Sequence, residues 1–455
     1  MAFALSAAAS HPITAQDALE GAVSWSSSGE LEFRVFQDTV EDTEYEDHRQ
    51  YFSRALWENE VRLEGSPLRV QINAEAVGEA WSGDESREDA DVFLHEAYAS
   101  YVKGAHAFTV GRQVVTWGRI ERSRLDVWNP QSYRWFVLFD KQRRKRAVLM
   151  SRYEYIAPRF DLEFVWMPWF EPSQLLYFGS DWALFDHTKK IIREEGYPPA
   201  VKSLVNAIEI RADPEREKHA LTNSQGGARL RSRAGDIDYA LYYLNVAQNL
   251  GVLQESTPKG NLVKQFLYLP SAGNLNRLLA AAPAGDDLIL RKEHPRMHLI
   301  GADAETVWGV SSVRAELAYA TKMAYLREDF SYAIHDTLFG ACGADYTGSG
   351  GLYLNIDFLY RQILGYRELF ADEEYTFQVD GTLRKDLWRG SAEFVLDGSF
   401  NFSRHDWMIN PVVTWKANPS FHVSAGMVFF GGDLTTLFGR FDQKDLVYVR
   451  TQYFF

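Results

Sequence analysis

The sequence contains almost no cysteine, since Cys342 is the only one among 455 residues. A single thiol forms no internal disulfide. No Cys-x-x-Cys pair occurs, which excludes c-type haem attachment and thiolate zinc sites within the chain. We therefore interpret Cys342 as a small apolar residue of a strand.

Long hydrophobic runs are also missing. No segment approaches the roughly 18 apolar residues that a membrane-spanning helix requires, and the mean hydropathy is −0.30. Strands of a membrane barrel need only about 10 residues per crossing and give a weaker, alternating signal. The sequence thus excludes a helical membrane bundle and leaves a barrel open.

Motifs of catalysis and metal binding are absent as well. The chain has no Gly-x-Ser-x-Gly elbow and no His-Glu-x-x-His helix. His294 and His298 flank Pro295, and on a strand they would lie about 13 Å apart, too far to share a metal. His405 precedes Asp406 but has no evident serine partner. We predict no enzymatic activity, catalytic residue, metal, cofactor or nucleic-acid partner.

Alternating polar and apolar residues recur along the whole chain, which is 14% aromatic. In a membrane barrel the apolar face meets lipid and the polar face lines the lumen. We predict lipid-facing positions at Leu68, Val70, Ile72, Phe394, Phe400 and Phe429. We predict lumen-facing positions at Arg69, Glu75, Glu393, Asp397 and Arg450.

The connections between these segments favour a barrel over a soluble sandwich. Short turns alternate with mostly long loops, including 118–146, 168–226 and 247–296, as in outer-membrane proteins. The fold class is therefore all-β: one transmembrane antiparallel barrel of about 18 strands, with 16 as the alternative. Both termini are expected on the periplasmic rim. The predicted strands are 31–36, 52–64, 67–79, 91–103, 106–117, 147–157, 159–167, 227–234, 236–246, 297–304, 307–320, 337–347, 351–363, 374–386, 389–402, 406–416, 419–431 and 446–455.

The two ends of the chain carry further signals. Residues 1–20 begin with a stretch of apolar and small residues, typical of a signal-peptide remnant or a flexible tail. The barrel is predicted over residues 24–455. Its last strand alternates and ends on Phe455, which resembles the signal that the outer-membrane insertion machinery recognises.

Several motifs follow one another in order along the chain. They include GRQVVTWG at Gly111–Gly118, NPQSYR at Asn129–Arg134, WMPWFEPSQL at Trp166–Leu175, GARLRS at Gly227–Ser232 and YLNIDFLYRQI at Tyr353–Ile363. Together they resemble one family of large proteobacterial outer-membrane barrels, known mainly as a domain of unknown function and often encoded near resistance–nodulation–division-type exporters. The resemblance implies a barrel with a transport-related function and an envelope export partner, but no established ligand residues.

The third long loop has a charge opposite to that of the chain. Residues 118–152 contain ten basic and three acidic residues, a balance of +7 in a protein of net charge −14. Rings of arginine and lysine in pores select anions. We predict that loop 118–146 enters the lumen and forms an anion-binding constriction with Arg119, Arg122, Arg124, Arg134, Arg143, Arg144 and Arg146. Trp117, Trp128, Tyr133 and Trp135 are expected to pack it against the wall, and inward carboxylates such as Glu58, Glu60 and Glu75 to pair with its arginines.

Other interpretations of these charges stay open. The loop could instead contact lipopolysaccharide phosphates, or Arg143–Arg146 could merely end a strand at the membrane surface. The acidic segment Asp38–Asp47 is predicted to be a solvated outer loop, with cation-bridged contact to lipopolysaccharide as the alternative.

The sequence thus predicts a porin-like channel or export conduit of the bacterial outer membrane, with a basic constriction that favours anionic solutes. One alternative is a structural barrel, plugged by its own loops and partnered with another envelope or export protein. Another is a channel for hydrophobic substrates, suggested by the apolar stretch at Leu278–Ala282.

Overall fold

Eighteen strands form one closed antiparallel barrel in the computed structural model of the protein. The structure describes residues 23–39, 49–63, 67–82, 87–120, 123–134, 141–178, 182–185, 196–212, 217–255, 260–281, 288–367, 372–442 and 444–455. The predicted tail, 1–20, and residues 40–47 of the acidic segment lie outside these ranges.

The barrel strands follow one another around the wall in chain order, interrupted only by three short strands that belong to a separate sheet. The barrel comprises β1 (Val23–Asp38), β2 (Arg49–Leu63), β3 (Leu68–Ser82), β4 (Arg87–Lys103), β5 (His106–Gln113), β6 (Val148–Ile156), β7 (Phe160–Met167), β9 (Gln225–Ala234), β10 (Ile237–Ala247), β13 (Arg296–Trp308), β14 (Ser311–Leu326), β15 (Tyr332–Gly348), β16 (Leu352–Ile363), β17 (Tyr375–Leu387), β18 (Ala392–Asn401), β19 (Asp406–Asn418), β20 (Phe421–Gly431) and β21 (Leu446–Phe454). The separate sheet contains β8 (Glu209–Arg211), β11 (Val252–Glu255) and β12 (Ile289–Glu293).

The barrel closes where β1 pairs with β21, from Glu30 opposite Phe454 to Asp38 opposite Leu446. The short turns lie on one rim, together with the start of β1 and the end of β21, and the long loops lie on the other rim. Every predicted strand overlaps one of the eighteen barrel strands. The predicted fold class, strand number and topology are therefore confirmed.

The two faces of the wall differ as the alternation predicts. Glu75 and Arg450 point inward, where Arg450 donates a hydrogen bond of 3.1 Å to Ser424 Oγ. Ile72 and Phe400 point outward and are exposed. The register along β3, β18, β20 and β21 puts all the predicted inward and outward side chains on their expected sides, so the one-residue register is correct.

Aromatic residues gather on the outer surface near both rims. Tyr155 packs against Phe160, with ring centroids 6.2 Å apart, near the short-turn rim. Tyr360 and Phe377 pack at 5.1 Å near the long-loop rim. Between these belts the exposed outward side chains are mainly apolar. The exterior therefore has the aromatic girdles and apolar band of a barrel that crosses a membrane. Cys342 lies on the outward face of β15 and is exposed.

Several strand boundaries differ from the prediction, and two of them have a local reason. Strand β5 ends at Gln113 instead of residue 117. The backbone N–H groups of Val114 and Val115 donate to side chains, Glu96 at 2.9 Å and Asn129 at 2.7 Å, and so leave the ladder. Strand β18 begins late because Trp388 and Arg389 adopt positive φ angles in the preceding turn.

The described parts of the long loops contain four α-helices: α1 (Lys141–Arg144), α2 (Pro199–Asn206), α3 (Gly260–Tyr268) and α4 (Ala272–Ala281). Within the described ranges, none of the helices has the length and apolar character needed to span a bilayer. Loops 168–226 and 247–296, which the sequence marked only as long connections, contain α2 to α4 and the separate sheet.

Candidate functional site

The third long loop, residues 114–147 (L3), crosses the barrel lumen. It leaves the wall at β5 and reaches the inner face of β13, where the Arg119 side chain binds Asp303 at 2.7 Å and also Glu305. Strands β5 and β13 lie on different sides of the barrel in the strand order. L3 therefore divides the lumen instead of extending away from the rim.

The tip of L3, which contains Arg119, Ile120 and Ser123, surrounds the carboxylate of one wall residue, Glu316 of β14. The Ile120 amide donates to it at 2.9 Å, and the Arg119 amide and Ser123 hydroxyl also donate to it. Gly118 allows this turn: its φ is +87°, and a Cβ there would lie 2.9 Å from the Glu316 carboxylate. Glu316 is thus an anchor for L3.

Apolar packing fixes the middle of the loop against the wall. Trp117 and Trp128 are fully buried and meet edge to face, with centroids 4.9 Å apart. Trp128 lies over Gly227 and Leu125 over Gly301, where added Cβ atoms would approach them to 2.9 and 2.4 Å. Wall glycines therefore form the sockets that receive L3, and a larger residue would obstruct them.

Polar contacts join the two arms of L3, the first arm that follows β5 and the second arm that returns to β6. The Asn129 side chain accepts from the Val115 amide and donates to the Arg146 carbonyl at 2.9 Å. The buried Lys145 ammonium binds Asp126 at 2.8 Å and the Thr116 hydroxyl at 2.6 Å. Lys145 therefore stabilises the loop from within and is not available to a solute.

The second arm of L3 is tied to the opposite wall by two of the predicted arginines. Arg134 binds Glu79 and Asp89, each at 2.9 Å. Arg143 binds Glu32 at 3.0 Å and lies 3.6 Å from Glu30.

Loop arginines were expected to pair with inward carboxylates such as Glu58, Glu60 and Glu75, and for Glu75 this was wrong. Glu75 instead binds Arg54 of β2 at 2.5 Å. The anchoring carboxylates Glu32, Glu79 and Asp89 lie nearer the long-loop ends of their strands, where L3 enters.

The remaining predicted residues lie along the two spaces beside L3. Arg144 stacks over the Tyr133 ring at 5.5 Å. Arg144 and Arg146 line one cavity, and Arg124 lines the other. Arg122 and Trp135 lie outside the described residues, so their predicted roles are untested.

The first space, cavity A, lies between the second arm of L3 and strands β2 to β4 and has a volume of about 150 Å³. Six basic and three acidic side chains line it. Three of the basic side chains also bind carboxylates outside the lining: Arg134 binds Asp89, Arg143 binds Glu32 and Lys145 binds Asp126. The basic residues are Arg54, Arg134, Arg143, Arg144, Lys145 and Arg146, and the acidic residues are Glu75, Glu79 and Asp91.

Two loop arginines show contrasting electrostatics. Burial opposes the charge of Arg119, but hydrogen bonds and proximity to Asp303 and Glu305 raise its pKa. Burial lowers the pKa of Arg146, and the neighbouring Arg112 lowers it further against the opposing carboxylates. Arg119 is therefore well compensated by the wall, whereas Arg146 lies where an added anion would be stabilised.

The second space, cavity B, lies between the tip of L3 and strands β14 to β19 and has a volume of about 220 Å³. Arg361 of β16 and Arg404 of loop 402–405 face it together with Arg124. Neither Arg361 nor Arg404 was predicted as a site residue. The alternation of β16 could have marked Arg361 as inward, but the sequence does not indicate that it meets Arg404 and Arg124.

Loops 168–224 (L4) and 248–295 (L5) form a cap with a small hydrophobic core of its own. The core includes Val205 of α2, Phe266 of α3 and Leu278 of α4, all buried. The parallel pairing of β8 with β12 joins the two loops. Leu278 and Leu279 of the predicted apolar stretch therefore belong to this core and do not offer an open apolar surface.

The cap reaches across the long-loop mouth. Trp182 of L4 packs against Phe430 and donates a hydrogen bond of 3.1 Å to Gln50 of β2. Tyr268 of L5 packs 5.9 Å from Phe330, in the loop between β14 and β15. Contacts at both sides of the rim show that the cap covers part of the entrance.

Ionisable groups join the two loops within the cap. Glu217 of L4 lies 3.5 Å from the Lys292 ammonium and 3.7 Å from His294, both of L5. Burial raises the pKa of Glu217, but these two partners outweigh it and leave the pKa below its ordinary value of 4.5. His298 lies instead on β13 and stacks on Tyr243, with centroids 6.0 Å apart. No group of three or more metal-ligating side chains occurs in the part of the chain that the structure describes.

Comparisons with known proteins give only distant similarity. No protein-family model matches the chain, and no curated protein matches it in sequence. The family resemblance of the motifs, including the link to exporters, therefore receives no support.

Among solved structures, OccK5 (OpdH) of Pseudomonas aeruginosa aligns at a TM-score of 0.46 with 8% identity, covering 94% of this chain and 97% of that one. OpdK of the same organism, solved with vanillate, aligns at 0.45 with 9% identity over 94% and 98%. OmpF of Salmonella typhi, in complex with daunomycin, aligns at 0.43 with 10% identity over 95% and 97%. The barrel assignment rests on the strand pairing of the chain itself.

Proposed function

We propose that this protein is a channel of the bacterial outer membrane that favours small anionic solutes. The closed barrel, its apolar exterior and its aromatic belts support a membrane location. Outer-membrane lipid and lipopolysaccharide would then surround it, and the last strand, ending at Phe455, would be read by the insertion machinery. No catalytic role is part of this proposal.

The observation that carries the anion preference is the convergence of five guanidinium groups on cavity A, from Arg54, Arg134, Arg143, Arg144 and Arg146. Arg119, Arg134 and Arg143 of the loop are paired with wall carboxylates, so the net charge of L3 alone would overstate its effect. Arg144 and Arg146 lie on the second arm of L3 and line this cavity. Fixed guanidinium groups in a narrow lumen replace part of the hydration of an anion with directed donors.

Reversal potentials in planar bilayers under a salt gradient test this proposal. The wild-type protein should prefer anions, and the double substitution Arg144→Gln with Arg146→Gln should shift the reversal potential towards cation preference. Arg211→Gln is the matched control, because Arg211 carries the same charge but is exposed on the cap beside Glu209.

Salt dependence provides a further check on the same measurement. The difference between wild type and the double variant should shrink near 1 M salt, where the Debye length falls to about 3 Å. Cation preference in the wild type, or equal shifts in the double variant and in Arg211→Gln, would contradict a selective role for cavity A.

A second candidate is a loop-plugged structural barrel that acts as the partner of another envelope or export protein. The cap favours it, because Trp182 and Tyr268 fix the cap at separate points of the rim. If the cap closes the pathway, the wild type should conduct poorly and Trp182→Ala should increase conductance. Equal, substantial conductance in both proteins would exclude a plug held by this contact. A channel for hydrophobic substrates loses its motivating observation, since Leu278 is buried.

A further inference from the structure

We propose that the cap is a hinged lid over the long-loop mouth, closed by a releasable contact between Arg440 and the aromatic rings of Phe185 and Tyr268. This inference rests on the proposed channel function, because a lid regulates only a barrel that conducts. It depends on where the cap joins the wall, where it meets the opposite rim, and how weakly the charge of Arg440 is compensated there.

The cap joins the barrel on one side of the mouth only. Loop L4 connects β7 with β9, and L5 connects β10 with β13, which are four neighbouring barrel strands. The loop between β20 and β21, residues 432–445 (L9), lies opposite them, since eight strands separate β10 from β21 in each direction around the barrel. A cap that reaches L9 therefore crosses the whole mouth.

Backbone hydrogen bonds fix the base of the cap. The Tyr133 amide of L3 donates to the Gln174 carbonyl of L4 at 2.8 Å, and the Ser173 amide donates to the Asn249 carbonyl of L5 at 3.0 Å. Beyond these contacts the helices α2 to α4 and the separate sheet share one hydrophobic core. The base thus stays with L3 and the wall, while the body of the cap can move as one unit.

Arg440 connects L9 to both loops of the cap. Its guanidinium lies 5.8 Å from the ring centroid of Phe185 in L4 and 5.2 Å from that of Tyr268 in L5. L9 is itself held by the wall, because the Phe438 amide donates to the carboxylate of Asp406 in β19 at 2.9 Å. Arg440 therefore joins the cap to a fixed point of the opposite rim.

Trp182 provides the apolar part of the same contact. Its ring centroid lies 5.7 Å from that of Phe441 in L9 and 6.1 Å from that of Phe430 in β20. Trp182 is buried in this position. An opening lid must withdraw Trp182 from these rings, so the ring of Trp182 favours the closed position.

The closed position is unfavourable for the charge of Arg440. No carboxylate of the described residues forms an ion pair with it, and its hydrogen bond to the Leu184 carbonyl is long, at 3.4 Å. Burial lowers the pKa of Arg440, and the neighbouring Arg404 lowers it further, against the favourable effect of Tyr268. Aromatic faces replace only part of the hydration that a buried cation loses. Water regains access to the guanidinium when the lid opens, so the charge of Arg440 favours release.

Distances between two spin labels in the folded full-length protein, measured by double electron–electron resonance in detergent micelles, test the inference. Asn276→Cys on α4 and Leu434→Cys in L9 carry the labels, because both side chains are exposed. Cys342→Ser removes the native thiol, which is also exposed. The labelled protein should give a short distance for the closed lid and a second, longer distance for the open lid.

Two substitutions should change the ratio of the longer to the shorter distance in opposite directions. Trp182→Ala should raise this ratio by about tenfold or more, because it removes a buried ring from the contact. Arg440→Met should lower it by about fivefold, since an apolar side chain lies between the two rings without a loss of charge hydration. Arg440→Lys is the matched control, because it retains the charge and should not lower the ratio.

The possible results separate this inference from the channel proposal. A single distance in both the labelled protein and its Trp182→Ala variant would overturn the lid, and the cap would then be a fixed plug. An unchanged or higher ratio in Arg440→Met, or an equal fall in Arg440→Lys, would overturn the role of Arg440 even if Trp182→Ala folds poorly. The distances do not depend on conduction. A fixed cap on an anion-selective channel therefore refutes this inference alone, whereas an opening lid on a barrel without anion selectivity refutes the proposed function alone.

Discussion

Replacing Glu316 by alanine should release the tip of L3 without unfolding the barrel. The substitution removes the acceptor of the Arg119 amide, the Ile120 amide and the Ser123 hydroxyl. Hydrogen bonds to a charged group contribute about 1.5–3 kcal/mol each. The three bonds together contribute about 4–9 kcal/mol if they are additive, and water that replaces the carboxylate recovers part of this.

A loss of about 3 kcal/mol is therefore a low estimate for the tip, and it raises the population of opened tips by more than about a hundredfold. Hydrogen–deuterium exchange of peptides that contain Arg119 and Ile120 should accelerate by a similar factor. Glu316→Gln should give a smaller acceleration, because it retains the shape and one acceptor oxygen but loses the charge.

Glu393→Gln is the matched control. Glu393 is another inward carboxylate, but it binds Lys416 of the wall at 3.3 Å instead of L3. Two results would refute the anchoring role of Glu316. One is amide exchange at the tip that accelerates less than tenfold in Glu316→Ala, and the other is an equal acceleration in Glu393→Gln. The burial of Trp117 and Trp128 should keep the rest of L3 in place, so exchange there should change little.

Three further predictions follow from other contacts. Lys145→Met should destabilise L3 by about 3–5 kcal/mol, because it leaves Asp126 buried without its cation. Limited proteolysis should cleave L3 faster in this variant, and the additional substitution Asp126→Asn should restore part of the resistance to proteolysis. The ion pairs of Glu217 should stabilise the cap fully above pH 4.5, and this stabilisation should be lost as the pH falls through the lower pKa of Glu217 in the folded state. Amide exchange in α2 to α4 should therefore become faster at acidic pH in the wild type, and Glu217→Gln should not show this acceleration. Ile72→Arg should cost about 2–4 kcal/mol of barrel stability in lipid, whereas Gln71→Arg on the inward face should be tolerated; equal effects in denaturant unfolding would contradict the assigned faces.

The barrel could be predicted from the sequence because its signals are local. Alternation with period two fixes which side chains share a face, and turn residues such as Gly104 and Gly235 mark the short connections. Each signal lies within about ten residues of the strand that it defines. Two of the boundaries that differ, at Gln113 and Ala392, depend on side-chain contacts or turn geometry that alternation does not encode.

The position of L3 against the wall was harder to predict from the sequence. The sequence shows a basic loop and aromatic residues to pack it, but not which carboxylates receive the arginines. That choice depends on where Trp128 and Leu125 find room on the wall, above Gly227 and Gly301. These glycines lie about a hundred residues or more from their partners in sequence, and an isolated glycine in a strand has several explanations.

The cap was missed although a local signal for its helices exists. Val201 and Val205 are four residues apart, and Leu275 and Leu278 are three apart, as on one face of a helix. The elements are short, and none of them can bury its apolar face alone. Their core forms only where L4 and L5 meet, so its existence could not be inferred from either loop separately.

The pairing of the loop arginines decides how selectivity can be assigned. Substituting Arg119 would remove a positive charge, but it would also expose Asp303 and Glu305 and loosen the L3 anchor at the same time. Breaking one partner from a buried pair costs about 3–5 kcal/mol, so a change in ion preference could follow from the loop moving. Arg144 and Arg146 line cavity A on the second arm of L3. A shift that appears in their glutamine variants, with tip exchange at Arg119 unchanged, would assign the anion preference to cavity A and not to displacement of the loop.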